Sequence, residues 1–86
     1  MKLWLLRPIE GDAFWEPWFD KAFGFVVRAD TEEQARQLAQ ADGGDEKRER
    51  FGGKPRPAWT DATHSTCVEL TAEGAAQIVL RDFASA

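Results

Sequence analysis

The chain has 86 residues, a length that allows one folded domain, residues 1–86, with one small hydrophobic core. Hydrophobic residues make up 43% of it and charged residues 30%, proportions typical of a folded globular protein and not of a disordered tail. A net charge of −4 supplies no positive field for a phosphate backbone, so we expect no nucleic-acid partner.

Location is predicted from the apolar runs and the cysteine count. No run reaches the roughly 18 apolar residues of a membrane span, and Leu3–Leu6 is shorter than the roughly 7–15 residues of a signal-peptide core. Cys67 is the only cysteine, so an internal disulfide is impossible, which agrees with a reducing compartment. We therefore expect a cytoplasmic protein with no membrane contact.

The first part of the chain predicts two strands separated by a loop. Leu3–Leu6 is a short apolar run that suits a strand. Residues 9–20 form an aromatic loop, because Gly11 and Pro17 break regular structure there. Ala22–Arg28 alternates apolar side chains along one face and predicts the second strand.

A helix is predicted directly after the second strand. Thr31 stands three residues before Gln34, the spacing of a reciprocal helix cap. The helix should run to about Asp42 and stop at Gly43–Gly44, where the chain can turn left-handed. Ala35, Leu38, Ala39 and Asp42 stand at helical spacing, and the apolar stripe is expected to consist of small residues plus one leucine.

The second half of the chain predicts a loop and a hairpin. Residues 43–58 combine glycines, prolines and mixed charges, a composition typical of a mobile charged loop. Ser65–Leu70 and Gln77–Phe83 are predicted as a third and a fourth strand joined by a turn. The predicted fold is α+β, a small and mostly antiparallel sheet of about four strands with one helix on one face. The predicted element order is strand-strand-helix-strand-strand.

One helix covers only one face of such a sheet, so the second face needs its own cover. Two sources of cover are open at this point. The segment Phe14–Phe19 holds enough aromatic surface to lie on that face, and a second copy of the chain could cover it instead.

Asp61, His64 and Cys67 are the residues that most resemble a catalytic or metal-binding group. On a strand, positions 64 and 67 point to opposite faces, which disfavours a cysteine and histidine pair. We expect Cys67 to be a small buried residue on an inner strand and His64 to be a solvated loop residue. Paired zinc ligands and a strand-to-helix phosphate loop are missing, so no catalytic residue, metal or cofactor is assigned.

The aromatic residues remain as the candidates for binding. They serve either as core packing or as the contact surface for a protein partner. The candidates for partner binding are Phe14, Trp15, Trp18, Phe19 and Trp59.

Several short pieces of the sequence carry a resemblance to other proteins. The pieces include Phe25–Ala29, Gly44–Glu46, Trp59–Asp61, Ser65–Leu70 and Val79–Phe83. Together they resemble a group of short uncharacterised proteins of bacterial genomes, prophages and bacteriophages, over roughly residues 22 to 83. The group has no catalytic fingerprint, and the resemblance implies a phage-related accessory role.

Three functions follow as hypotheses. The first is a small non-enzymatic protein-binding module, a prophage or phage accessory protein that acts on a host component. The second is a self-assembling structural subunit that forms a homodimer. The third is a small cysteine-dependent enzyme built around Cys67 and His64.

Overall fold

The computed structural model describes residues 1–11, 15, 22–44 and 57–82. Within these residues it contains three strands and one helix, in the order β1 (Lys2–Pro8), β2 (Phe25–Ala29), α1 (Glu32–Ala41) and β3 (Ser65–Leu70). The predicted α+β class is confirmed. The charged residues 45–56 and most of the aromatic loop lie outside the described residues.

The first strand of the chain is the middle strand of the sheet. The strand order is β2-β1-β3, and β1 is antiparallel to both neighbours. Leu6 therefore lies between Phe25 of β2 and Cys67 of β3. Because β2 and β3 are both antiparallel to β1, they run parallel to each other, and α1 lies in the connection between them. This topology explains why β1 is a nearly continuous apolar run.

The core lies between α1 and one face of the sheet. Leu6 and Trp59 are its largest fully buried apolar side chains. Ala35 and Ala39 bring the helix backbone close to the sheet because their side chains are small. The buried apolar cluster consists of Leu6, Trp15, Ala29, Ala35, Ala39, Ala58 and Trp59. Ala58, predicted to belong to a mobile loop, is thus part of the core.

The start of α1 agrees with the predicted cap. The Thr31 hydroxyl accepts a hydrogen bond from the Gln34 amide at 3.1 Å, and the Gln34 side chain accepts one from the Asp30 amide at 3.0 Å. The helix ends at Ala41, close to the predicted position, but the left-handed turn is absent. Gly11 and Gly74 are the described glycines with positive φ, and Asp42 closes the helix with a φ of −102°.

The predicted apolar stripe of α1 is wrong at its leucine. Leu38 is exposed, as is Asp42, whereas Arg36 is buried beside Ala35 and Ala39. Arg36 is buried in place of the predicted leucine because α1 packs close to Trp59 and Ser65, whose oxygen atoms accept hydrogen bonds from Arg36.

The strand bounds differ from the prediction at β2 and at the C-terminal segment. β2 begins at Phe25, so Ala22–Gly24 precede the strand; at Gly24 a Cβ atom would lie 2.9 Å from the Leu6 carbonyl oxygen. The predicted fourth strand, Gln77–Phe83, does not form over the described residues 77–82. The Arg7 guanidinium donates to the Arg81 carbonyl at 3.5 Å, so the end of this segment lies near β1.

Candidate functional site

Two of the predicted partner-binding residues lie in the core. Trp15 is 5% exposed and Trp59 is fully buried. Their ring centroids are 4.9 Å apart, and Phe25 meets Trp59 edge-on at the same distance. The Trp15 indole N–H donates to the His64 carbonyl at 2.7 Å. Trp15 and Trp59 are therefore packing residues on the α1 side of the sheet, because their ring faces and the Trp15 N–H are satisfied internally.

The other predicted partner-binding residues, Phe14, Trp18 and Phe19, lie outside the described residues. The aromatic segment was expected to be one possible cover for the sheet face opposite the helix. Trp15, its described member, packs against Trp59 on the helix side instead.

Arg36 ties the helix to the turn that precedes β3. Its guanidinium donates to the Trp59 carbonyl at 3.1 Å, to the Ser65 hydroxyl at 3.0 Å and to the Ser65 carbonyl at 3.2 Å. Its Nε lies 3.0 Å from a Glu32 carboxylate oxygen, one helical turn earlier. The charge is thus paired and the donors are used, as a buried guanidinium requires. This residue is structural. Sequence reasoning missed it, although the Glu32 and Arg36 spacing was a usable signal.

Asp61 and His64 shape the same turn. One Asp61 carboxylate oxygen accepts hydrogen bonds from the Thr63 amide at 2.8 Å and the Thr63 hydroxyl at 2.7 Å. These bonds from Thr63 lower the pKa of Asp61. His64 Nε2 lies 4.0 Å from the other Asp61 oxygen, and the His64 carbonyl accepts from the Ile9 amide at 3.0 Å. Both residues therefore hold the turn together.

Cys67 lies on the edge strand β3 and not on an inner strand as predicted. It is partly buried, and this desolvation raises the pKa of its thiol, while the positive charge of Arg36 acts in the opposite direction. A nucleophilic cysteine needs a lowered pKa, so the environment of Cys67 favours a packing role. Among the described residues, no three His, Cys, Asp or Glu side chains form a group that could hold a metal ion.

The sheet face directed away from α1 is mostly apolar, and we call it the open face. Alternation along the strands places Leu5, Val26 and Val68 in one row across it, since Leu5 pairs with both valines. Val26 is 54% exposed and Val68 is 57% exposed. The remaining side chains of the open face are Leu3, Arg7, Arg28, Thr66 and Leu70.

The C-terminal segment 71–82 covers the open face incompletely. Leu80 and Asp82 border a groove of about 440 Å³ together with Leu5, Arg7 and Val26. Val79 borders a second depression beside Val68. All of residues 71–82 remain exposed, including the apolar run Ile78–Leu80. The segment therefore adds apolar surface to this side of the molecule.

The two arginines of the open face lie at its ends. Arg28 pairs across the sheet with Leu3, and Arg7 pairs with Thr66, so one apolar row separates the two guanidinium groups. The central row of the open face is therefore apolar, and one arginine lies in the row on each side of it, so charge is kept away from the centre as in protein interfaces.

The described helix does not meet the length and hydropathy of a membrane span. The open face, rather than a cleft with reactive groups, is the candidate functional site. Comparisons of the chain with protein-family models, with curated proteins and with solved structures find no match.

Proposed function

We propose that this protein is a non-enzymatic protein-binding module whose contact surface is the open face. One observation carries the proposal: Val26 and Val68 are each more than half exposed on either side of Leu5, at the centre of a sheet face. Contiguous exposed apolar patches on small proteins commonly mark interaction sites. The partner is either a second copy of the chain or a host component, the partner that the resemblance to prophage and bacteriophage proteins implies.

The residues that would support an enzyme are engaged in other ways. Burial raises the pKa of the Cys67 thiol, which reduces the fraction of reactive thiolate. The Asp61 carboxylate accepts two hydrogen bonds from Thr63. These contacts favour binding over cysteine chemistry.

Charge substitution on the open face tests the proposal. Val26→Glu and Val68→Glu each place a carboxylate in the apolar row, whereas Leu38→Glu places one on the exposed side of α1. Leu38 is 49% exposed and serves as a matched control, since it is also a half-exposed aliphatic residue. Each variant would be immobilised and compared with wild type for binding of the pure chain and of host lysate proteins.

The expected result is loss of binding in both open-face variants and retention in Leu38→Glu, with melting temperatures close to wild type in all three. Association that survives both open-face substitutions in folded protein would contradict the proposal. A variant that melts early would be replaced by Val26→Thr or Val68→Thr, which keep the β-branched shape and remove apolar surface.

A further inference from the structure

We propose that the partner seated on the open face is a second copy of this chain, related to the first by a two-fold axis, with segment 71–82 of each copy bordering the contact. The inference rests on the proposed function, because it names the partner of the same surface. In such an isologous contact the same patch serves both protomers, so the patch must be complementary to itself.

The available area matches that of a standard-size interface. The exposed apolar side chains are Leu3, Val26, Val68, Val79 and Leu80, between 39% and 59% exposed, together with Phe23 in the lining of the groove. They offer on the order of 500 Å² of apolar surface per protomer, comparable to the apolar part of a standard interface, which buries about 800 Å² per partner and is roughly 56–65% apolar.

The arrangement of charge is also compatible with self-contact. The central row, Leu5 with Val26 and Val68, carries no charge, so two such rows can stack with no buried unpaired ion. Arg7 and Arg28 lie at the ends of the face, where an interface has its polar rim. Asp82 borders the groove beside Arg7 and adds a negative charge at that end.

Segment 71–82 extends the apolar contact surface. Leu80 borders the open face beside Val26, and Val79 borders it beside Val68. The contact surface of each copy would therefore combine the sheet face with this segment, while α1 covers the opposite face of the sheet.

The test measures the mass of the full chain in solution by size-exclusion chromatography with light scattering, at concentrations on the order of 100 µM and by dilution from there. We expect twice the chain mass for wild type and for the control Leu38→Glu. Val68→Glu should raise the dissociation constant about 30-fold or more, the effect expected for a central interface residue. Val68→Thr provides a milder change if the glutamate variant does not fold.

A wild-type chain that is monomeric at this concentration overturns the inference, as does a dimer that is unaffected by open-face substitutions at positions 26 and 68. The lysate comparison separates this failure from failure of the proposed function. If wild type is monomeric and Val68→Glu loses a captured host protein that Leu38→Glu retains, only the second-copy inference fails. If no binding depends on positions 26 and 68, both fail.

Discussion

Arg36 is a charged residue in a buried environment, which is unusual for arginine. Its side chain is buried under the Trp59 and Ser65 backbone, and its hydrogen bonds reach residues 23 and 29 positions away. A buried arginine that is fully paired is tolerated, but the removal of one partner leaves the others unsatisfied. The Arg36 guanidinium therefore contributes three of the hydrogen bonds that join α1 to Trp59 and Ser65.

Arg36→Met should lower the free energy of unfolding by about 1–3 kcal/mol, the cost of leaving buried acceptors unsatisfied. Methionine retains much of the apolar stem but donates no hydrogen bond to Trp59 or Ser65. Urea denaturation of the variant beside wild type measures the change. Arg28, which is exposed on the open face, supplies the control Arg28→Met, which should change stability little. Equal effects of the two substitutions would contradict a special role for Arg36.

Cys67 should react slowly with alkylating reagents in the folded protein. Burial raises the pKa of its thiol, so less thiolate is present at a given pH. The pH at which the iodoacetamide reaction is half-maximal should be higher for folded chain than for the same chain in urea. A folded profile at lower pH than the unfolded one would instead indicate an activated thiol.

The same pKa shift predicts a direction for stability. The folded state holds the Cys67 proton more tightly than the unfolded state, so this group's contribution is intact below the ordinary thiol pKa of 9.0 and is lost as the pH rises above it. Cys67→Ala should therefore flatten the alkaline end of the stability profile. Thermal melting between pH 7 and pH 10 would show the difference, and identical slopes in the two proteins would count against it.

At the level of elements, α1 depends on local signals at its N-terminus and on tertiary contacts over its length. Glu32 and Glu33 lie in its first turn, where they favour the positive end of the helix dipole, and no basic residue lies in its last turn. Its buried positions are small apart from Arg36. The N-terminal cap therefore contributes a larger share of the stability of α1 than a cap contributes in a helix that buries large apolar residues.

Thr31→Ala should lower the free energy of unfolding by about 1 kcal/mol, the usual cost of losing such a cap. Thr31→Ser keeps the hydroxyl that accepts from the Gln34 amide and should retain most of the stability. Chemical denaturation of the three proteins measures both effects. If serine and alanine were equally destabilising, the hydroxyl would not be the cause.

The strands show where local pattern is informative and where it is not. Ser65–Leu70 forms β3 with the predicted bounds, because its alternating residues fit a sheet edge. Residues 77–82 contain a similar share of branched aliphatic side chains but form no strand. A strand needs a partner edge as well as propensity, and propensity says nothing about which edge is within reach.

At the scale of the whole molecule, the described elements pack around one small hydrophobic core. Trp59 lies at its centre, against Trp15 and Phe25, and its backbone amide donates to the Gln40 side chain at 2.8 Å. Trp15 and the turn before β3 thus contact each other near the end of α1. A domain of this size is only marginally stable, so the loss of a buried aromatic side chain from this core should lower the free energy of unfolding by a large fraction.

Trp59→Ala and Trp15→Ala should each destabilise the fold by about 3–5 kcal/mol, the range for emptying a buried aromatic site. Trp59→Phe should cost less, because it leaves a smaller cavity. Denaturant titration followed by circular dichroism measures these changes. A variant with unchanged melting temperature and lost association would contradict the core placement and restore the tryptophans as contact residues.

The features that the sequence determined by itself are local. The cap at Thr31, the end of the helix near Asp42 and the strand at Ser65–Leu70 depend on residues a few positions apart, and so does the α+β class that they imply. Short-range spacing contains the information for such elements, because the interacting groups are near each other in the unfolded chain as well.

Only the tertiary structure decided which residues are inside and which face is left open. It placed β1 in the middle, buried Arg36 and Trp59, and brought residues 77–82 near β1 without making them a strand. The open face could be foreseen as an uncovered surface, but its residues could not be identified before the strand register was known. Burial and register depend on contacts between distant segments, where one residue's environment is made by several elements at once.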